Sequence, residues 1–370
     1  MIVPAATRDC PLSTASIHPP VTIATMGEVS ALRGIKAGEV LWYASGSVSQ
    51  DEALAYAQTS GGLVTRGEGG LRLARKLRER GWSGALWLDP ATYERPATEG
   101  DLTLFGDRWT VAQAEVRTEE PISPGSYVEA AERASLIKAL RRESDWTADV
   151  EGARISLALH WSWLTAGTKP LASELKRVQR PVAIALADTN DPLGHAESVS
   201  GLVRLIREVP DLMVLRCDFG ALGAVAAGAQ TATIGTSTTV RHVVPTGKRG
   251  GGVPRDKTPS LFVPSLLAFR LGSFLEQLPR RAVPTCDLTC CLGARLSRFN
   301  DERMAAEARQ HNRLAFQVVV DELLARASVD RLATFRAMCQ KAILETQALE
   351  VASRRVIEPS RQLLGWANVS

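Results

Sequence analysis

Short apolar runs rich in β-branched and aromatic residues recur along this chain, and most are followed by a stretch whose apolar residues return every three or four positions. The runs are VTIAT (21–25), EVLWYAS (39–45), GALWLDP (84–90), EEPISPG (119–125), RISLALH (154–160), PVAIALA (181–187), LMVLRCD (212–218) and TATIGTS (231–237). An apolar run with little alternation fits a strand covered on both faces. The intervening segments, such as GGLRLARKLRERGW, PLASELKRVQR and ESVSGLVRLIREVP, put charges opposite an apolar stripe and predict helices. Eight strand–helix units predict an α/β fold, a closed (β/α)₈ or TIM barrel, in preference to an open doubly wound sheet. No G-x-G-x-x-G opens a helix after a strand, so a dinucleotide fold gains no support.

At 370 residues the chain suits one barrel with additions. Residues 1–246 are expected to form it, with DLTLFGDRWTVA (101–112) read as a hairpin inserted around a Gly106-Asp107 turn. Residues 247–325 would carry a basic loop, GKRGGGVPRDK, and a cysteine-rich module near the C-terminal end of the barrel sequence. Residues 326–370 would be helical and pack on the barrel. No run of eighteen apolar residues occurs, and the first residues lack the basic-then-apolar pattern of a secretory signal, so the protein is expected in the cytoplasm and off the membrane. The balance of 44 basic against 40 acidic residues gives a net charge of +4, which permits a local nucleic-acid contact without being a signature of one.

Barrel enzymes place their chemistry where strands end, and the polar residues closing these runs are Thr25, Ser45, Asp89, Ser123, His160, Asp188, Asp191, Asp218 and Ser237. Several carboxylates on one rim can supply an acid, a base or a nucleophile. Each also has a plainer reading. Asp188 and Asp191, in ADTNDPLG, suit a turn or a helix cap, and His160, beside two tryptophans, suits a packed rim position.

Three of the six cysteines, Cys286, Cys290 and Cys291, fall within six positions. In a reducing compartment such a cluster points to metal ligands or catalytic groups before disulfides, and adjacent cysteines bridge each other poorly. Buried thiols that merely pack are the alternative.

Several of these stretches together resemble the tRNA-guanine transglycosylases. TMGEVSAL (25–32) is similar to the family's first strand and turn, LDPATYE (88–94) to its D-S-G-G-F-Q segment, VVPTGKRGGG (243–252) to its basic P-T-R stretch, and the cysteine cluster followed by His311-Asn312 to its zinc module. The order along the chain agrees. The resemblance implies a protein that exchanges guanine for a 7-deazaguanine-type base in tRNA or DNA, alone or with a second copy or a related chain. It implies Asp89 as catalytic aspartate, Tyr93 stacking the base, Asp188 or Asn190 reading its edge, Lys248, Arg249 and Arg255 near the phosphate backbone, and Zn²⁺ held by Cys286, Cys290, Cys291 and His311. Three thiolates and an imidazole leave no open position, the pattern of a structural zinc.

Two departures stand out. The cysteines run C-x-x-x-C-C where the family has C-x-C-x-x-C. The eighth strand, where the family carries its nucleophilic aspartate, offers Thr233 or Arg241 and no carboxylate. Asp218, at the end of the neighbouring strand, is the residue expected to attack C1′ if chemistry occurs. If none occurs, the chain is expected to serve as a non-catalytic nucleic-acid-binding or partner subunit.

Overall fold

The computed structural model describes residues 38–94, 101–245, 248 and 256–370. Eight parallel strands, β1 (Glu39–Ala44), β2 (Gly62–Arg66), β3 (Ala85–Asp89), β4 (Ser126–Val128), β5 (Ile155–His160), β6 (Val182–Ala187), β7 (Met213–Cys217) and β8 (Thr231–Gly235), form one sheet in the order β3-β2-β1-β8-β7-β6-β5-β4. Helices follow them: α1 (Gln50–Ser60), α2 (Gly67–Glu79), α3 (Asp101–Glu115), α4 (Arg133–Ala148), α5 (Thr168–Arg177), α6 (Ser198–Glu208) and α7 (Gly220–Ala226).

Side chains alternate across the sheet with the strand period of two. Leu41, Tyr43, Val64, Trp87, Ala158, Ala183, Ala185 and Leu215 point to the concave side and pack together. Val40, Trp42, Leu63, Leu86, Leu157, Ile184 and Val214 point outward into the layer shared with the helices. Alanines on β5 and β6 therefore face the bulky Tyr43 and Trp87 side, and small against large fills the interior.

The ladder does not close into the expected barrel. β3 and β4 are its edges, and the gap is spanned by a Glu119 N–H bond to the Leu86 carbonyl (2.9 Å) and a Thr92 N–H bond to the Pro124 carbonyl (3.1 Å). Pro121 and Pro124 explain this, because neither has an N–H to give to a ladder. The strand expected at 119–125 accordingly forms only at Ser126–Val128.

Two further expectations change. GLVTR, not counted among the apolar runs, is β2, whereas VTIAT with Thr25 and the 25–32 stretch lie outside the described residues. The hairpin proposed at 101–112 is part of α3. Trp109, Ala112 and Val116 are buried at helical spacing, so the buried stripe overrides the turn preference of Gly106-Asp107.

Beyond the sheet, β9 (Ser260–Val263) and β10 (Ala268–Leu271) pair as a hairpin, α8 (Gly272–Glu276) follows, and β11 (Thr285–Cys286) pairs with β12 (Ala294–Arg295). Helices α9 (Ala305–Leu324), α10 (Ser328–Ser353) and α11 (Arg361–Asn368) complete the described chain. α10 packs on α7 and α11 on α6. No helix among the described residues is long and apolar enough to cross a membrane.

Candidate functional site

A pocket of about 190 Å³ opens at the C-terminal ends of β6, β7 and β8. Its polar walls are Asn190 and Asp191 after β6, Arg216 and Asp218 at β7, Arg241 and His242 after β8, and Gln362 from α11. Pockets for drug-sized ligands run to ~300–1,000 Å³, so this one suits a single small ring system or a comparable molecule.

Each carboxylate is aimed by its own backbone. Asp191 Oδ1 accepts the Leu193 N–H (2.9 Å), and Asp218 Oδ1 accepts the Gly220 N–H (3.0 Å). Burial and the nearby charge of Asp218 push the Asp191 carboxyl up to about 7. Like charges in a partly dry site cannot both ionise cheaply, so Asp191 keeps its proton to near neutrality.

The opposite charge comes from Arg241 and Arg216. Arg241 stacks over the Phe269 ring at 3.3 Å, and burial pulls its pKa down to about 10. Burial also lowers His242, with Arg216 adding to the effect. Arg216 reaches the pocket through a backbone irregularity. The β7–β8 register slips between Val214 and Cys217, Arg216 takes φ +58°, and its N–H bonds to Thr233 Oγ1 (2.8 Å). A bulge of this kind re-aims a side chain that simple alternation would send elsewhere. Its guanidinium pairs with Glu94, which also pairs with Arg66.

Asp89 lies deeper and is fully buried. Its Oδ2 accepts the hydroxyls of Tyr43 (2.6 Å) and Tyr93 (2.5 Å), and its Oδ1 accepts the Ala91 N–H (2.9 Å). Burial raises its pKa, while the two tyrosines and Arg216 oppose the rise. Asp89 is not on the wall of the pocket that holds Asp218. Tyr93, 2% exposed, is spent on Asp89 within the interior instead of lying open to a ligand.

At the same rim, His160 closes a turn by accepting the Ser162 N–H on Nδ1, which is the packed position its neighbours suggest. Asp188 contacts His195 and the Thr189 N–H. Asn190 is exposed at the pocket edge. Ser45 Oγ contacts Ser47, Ser237 Oγ contacts Thr239, and Ser123 Oγ accepts the Ser156 N–H inside the sheet. Lys248 is exposed, and Arg249 and Arg255 lie outside the described residues.

The second centre is the cysteine module. The ligand atoms of Cys286, Cys290, Cys291 and His311 all lie within 4.8 Å of one another, so the four could hold a metal ion. The β11–β12 turn creates the cysteine side: the Gly293 N–H bonds back to the Cys286 carbonyl with Gly293 at φ +80°, and the Cys291 N–H bonds to the Leu288 carbonyl. α9 supplies the imidazole. Its next residue, Asn312, grips β9 by accepting the Phe262 N–H (2.6 Å) and donating to the Ser260 carbonyl (2.8 Å). His311 Nε2 donates to the Phe262 carbonyl (2.9 Å), which directs Nδ1 at the sulfurs.

The sequence pattern did not single out Arg216, His242, Gln362 or His195. The three cysteines it marked do come together with the His311 that the resemblance implied, and Asp191 and Asp218, expected at separate strand ends, share one pocket. No protein-family model matches the chain, and no curated protein matches it either.

Proposed function

We propose that the protein is transglycosylase-like and exchanges guanine for a 7-deazaguanine-type base in nucleic acid, with Asp218 and Asp191 as the reacting pair. The observation that carries this reading is the joint placement of the two carboxyls on one small pocket, with Asp191 near neutrality. Asp218 attacks C1′ as the C1′–N bond breaks, and the departing guanine takes the proton of Asp191. The incoming base displaces Asp218 from C1′ and returns a proton to Asp191. One base leaves, one enters, and both carboxyls end as they began. Arg216 and Arg241 offset the negative charge, and Asn190 offers an amide to the base edge. In this reading Asp89 is a positioning residue, held by Tyr43 and Tyr93.

Zinc is the metal that best suits the four-ligand cluster. Ideal tetrahedral zinc sets thiolate sulfurs about 3.8 Å apart and sulfur about 3.6 Å from imidazole nitrogen. The Cys290–Cys291 sulfur separation is 3.6 Å, and Nδ1 of His311 is 3.5 Å from the Cys291 sulfur and 4.0 Å from that of Cys290. With no position left for substrate, the ion would clamp β11–β12 onto α9 and take no part in the reaction.

The test is incubation with radiolabelled guanine and either tRNA or duplex DNA. Wild type should incorporate label, and Asp218→Asn should abolish incorporation while leaving nucleic-acid binding nearly intact, since the lost interaction exists mainly in the transition state. The saturated Asp89 and the absence of a carboxylate from β8 favour a second reading, a subunit that binds nucleic acid or a catalytic partner. Binding without any exchange would select it.

A further inference from the structure

We infer that Gln362 selects the pocket's ligand by pairing its carboxamide with the adjacent N–H and C=O of a lactam ring; this deepens the base-exchange reading and takes from it the choice of a purine.

The argument begins with α11. Ser360 caps it by accepting the Leu363 N–H (3.1 Å), and Leu363, Trp366 and Ala367 form its buried stripe, Trp366 meeting Phe335 of α10 edge-on at 5.5 Å. That packing fixes the helix's rotation and sends Gln362 towards the ends of β6 and β7. A Cβ on Gly220 would overlap Gln362 Nε2, so the glycine is what lets the amide in.

Gln362 is 1% exposed, yet its Oε1 is buried with no hydrogen-bond partner, and its Nε2 donates to no group among the described residues. A buried amide oxygen with no partner is rare in proteins, because its desolvation is then uncompensated. This one forms part of the pocket wall. A ligand that pairs with it removes the penalty. Ionised Asp218 can only accept, the proton on Asp191 is the one given to the departing base, and Asn190 stands at the open rim; Gln362 is the buried amide that offers a donor and an acceptor side by side. A lactam edge presents the complementary acceptor and donor at the same spacing.

Isothermal titration of the full-length, metal-loaded chain with guanine, hypoxanthine, 1-methylguanine and adenine tests this. Wild type should bind guanine and hypoxanthine roughly tenfold or more tightly than the other two, which lack the N1–H or the lactam. Gln362→Met, close to it in shape, should bring the four together and should melt no lower than wild type. The wild-type comparison of guanine with 1-methylguanine needs no variant, so a folding defect cannot obscure the answer. No binding of any of the four, no preference in wild type, or a preference that survives Gln362→Met overturns the inference. A Gln362-dependent preference in a protein that exchanges no base keeps it and removes the base-exchange reading; exchange without the preference does the reverse.

Discussion

Asp188 Oδ2 lies 2.6 Å from His195 Nε2, and the indole of Trp161 lies flat on the same imidazole, ring centres 3.6 Å apart and planes 6° from parallel. The second carboxylate oxygen, Oδ1, accepts the Thr189 N–H at 2.6 Å. With both oxygens engaged, Asp188 organises the rim, and Asn190 beside it lies exposed at the pocket edge, its Nδ2 3.5 Å from Thr189 Oγ1.

Burial works against the charge on Asp188, but His195 and the Thr189 and Asn190 backbone N–H groups outweigh it and hold the carboxyl below its usual range. A depressed carboxyl contributes stability above its unfolded pKa, and that contribution is lost as pH falls through the folded value. His195→Gln should therefore melt below wild type at pH 5–6, by a margin corresponding to about 1 kcal/mol given the partial exposure of the pair. The gap should narrow towards pH 2.5. Melting curves across that range check it, and a gap independent of pH would mean that His195 acts only through packing.

The raised carboxyl of Asp191 has the opposite sign. A group that holds its proton up to about 7 when folded, and only to about 4 when unfolded, gives stability at low pH that is lost as pH rises between those values. Asp191→Asn cannot lose it. The variant's melting temperature should gain on wild type from pH 4 to pH 8, by roughly 2–4 °C for each kcal/mol relieved. Exchange activity, if the carboxyl is the proton carrier, should decline in wild type as pH rises through the same range and be absent from the variant.

Tyr43 and Tyr93 share one oxygen of Asp89 in a site with no water access. Removing either donor strands a buried carboxylate. Tyr43→Phe should cost about 1–3 kcal/mol in chemical denaturation. If Asp89 only positions its neighbours, base binding at the pocket should persist in this variant once it is folded. A loss of binding larger than the loss of folded protein would instead place Asp89 in contact with the ligand.

Metal analysis should find about one zinc per chain, and Cys290→Ser should reduce it to near zero. The apolar cluster around Leu261, Leu275 and Phe299 then loses the clamp that joins β11–β12 to α9. Trypsin should cut within 256–304 well before it cuts the strand–helix layer. Simultaneous cleavage of both parts would show that the module is not a separate unit of stability.

How much of this could be read from sequence follows from what each element's residues reveal locally. β1, β3 and β5–β8 are written as dense apolar runs, and the Cys286–Cys291 cluster is visible as ligand chemistry. β2 escaped because GLVTR is short and ends in Thr65 and Arg66, and α3 was mistaken for a hairpin because Gly106-Asp107 is a strong turn signal on its own. The open seam between β3 and β4 was marked by Pro121 and Pro124, whose effect depends on which neighbour they must pair with. Arg216 was beyond reach, since its direction depends on a slipped register. Gln362 sits in an ordinary amphipathic helix, and nothing local says that its amide will line the same pocket as Asp218.

That meeting has a consequence for how the site is made. Translation delivers β6 and β7, with Asp191 and Asp218, long before α11 leaves the ribosome, and the amide wall is among the last parts of the described chain to appear. A nascent chain can thus assemble its acidic floor while still unable to tell one ring from another. On the role proposed for Gln362, discrimination waits until α11 docks and seats the amide beside Gly220.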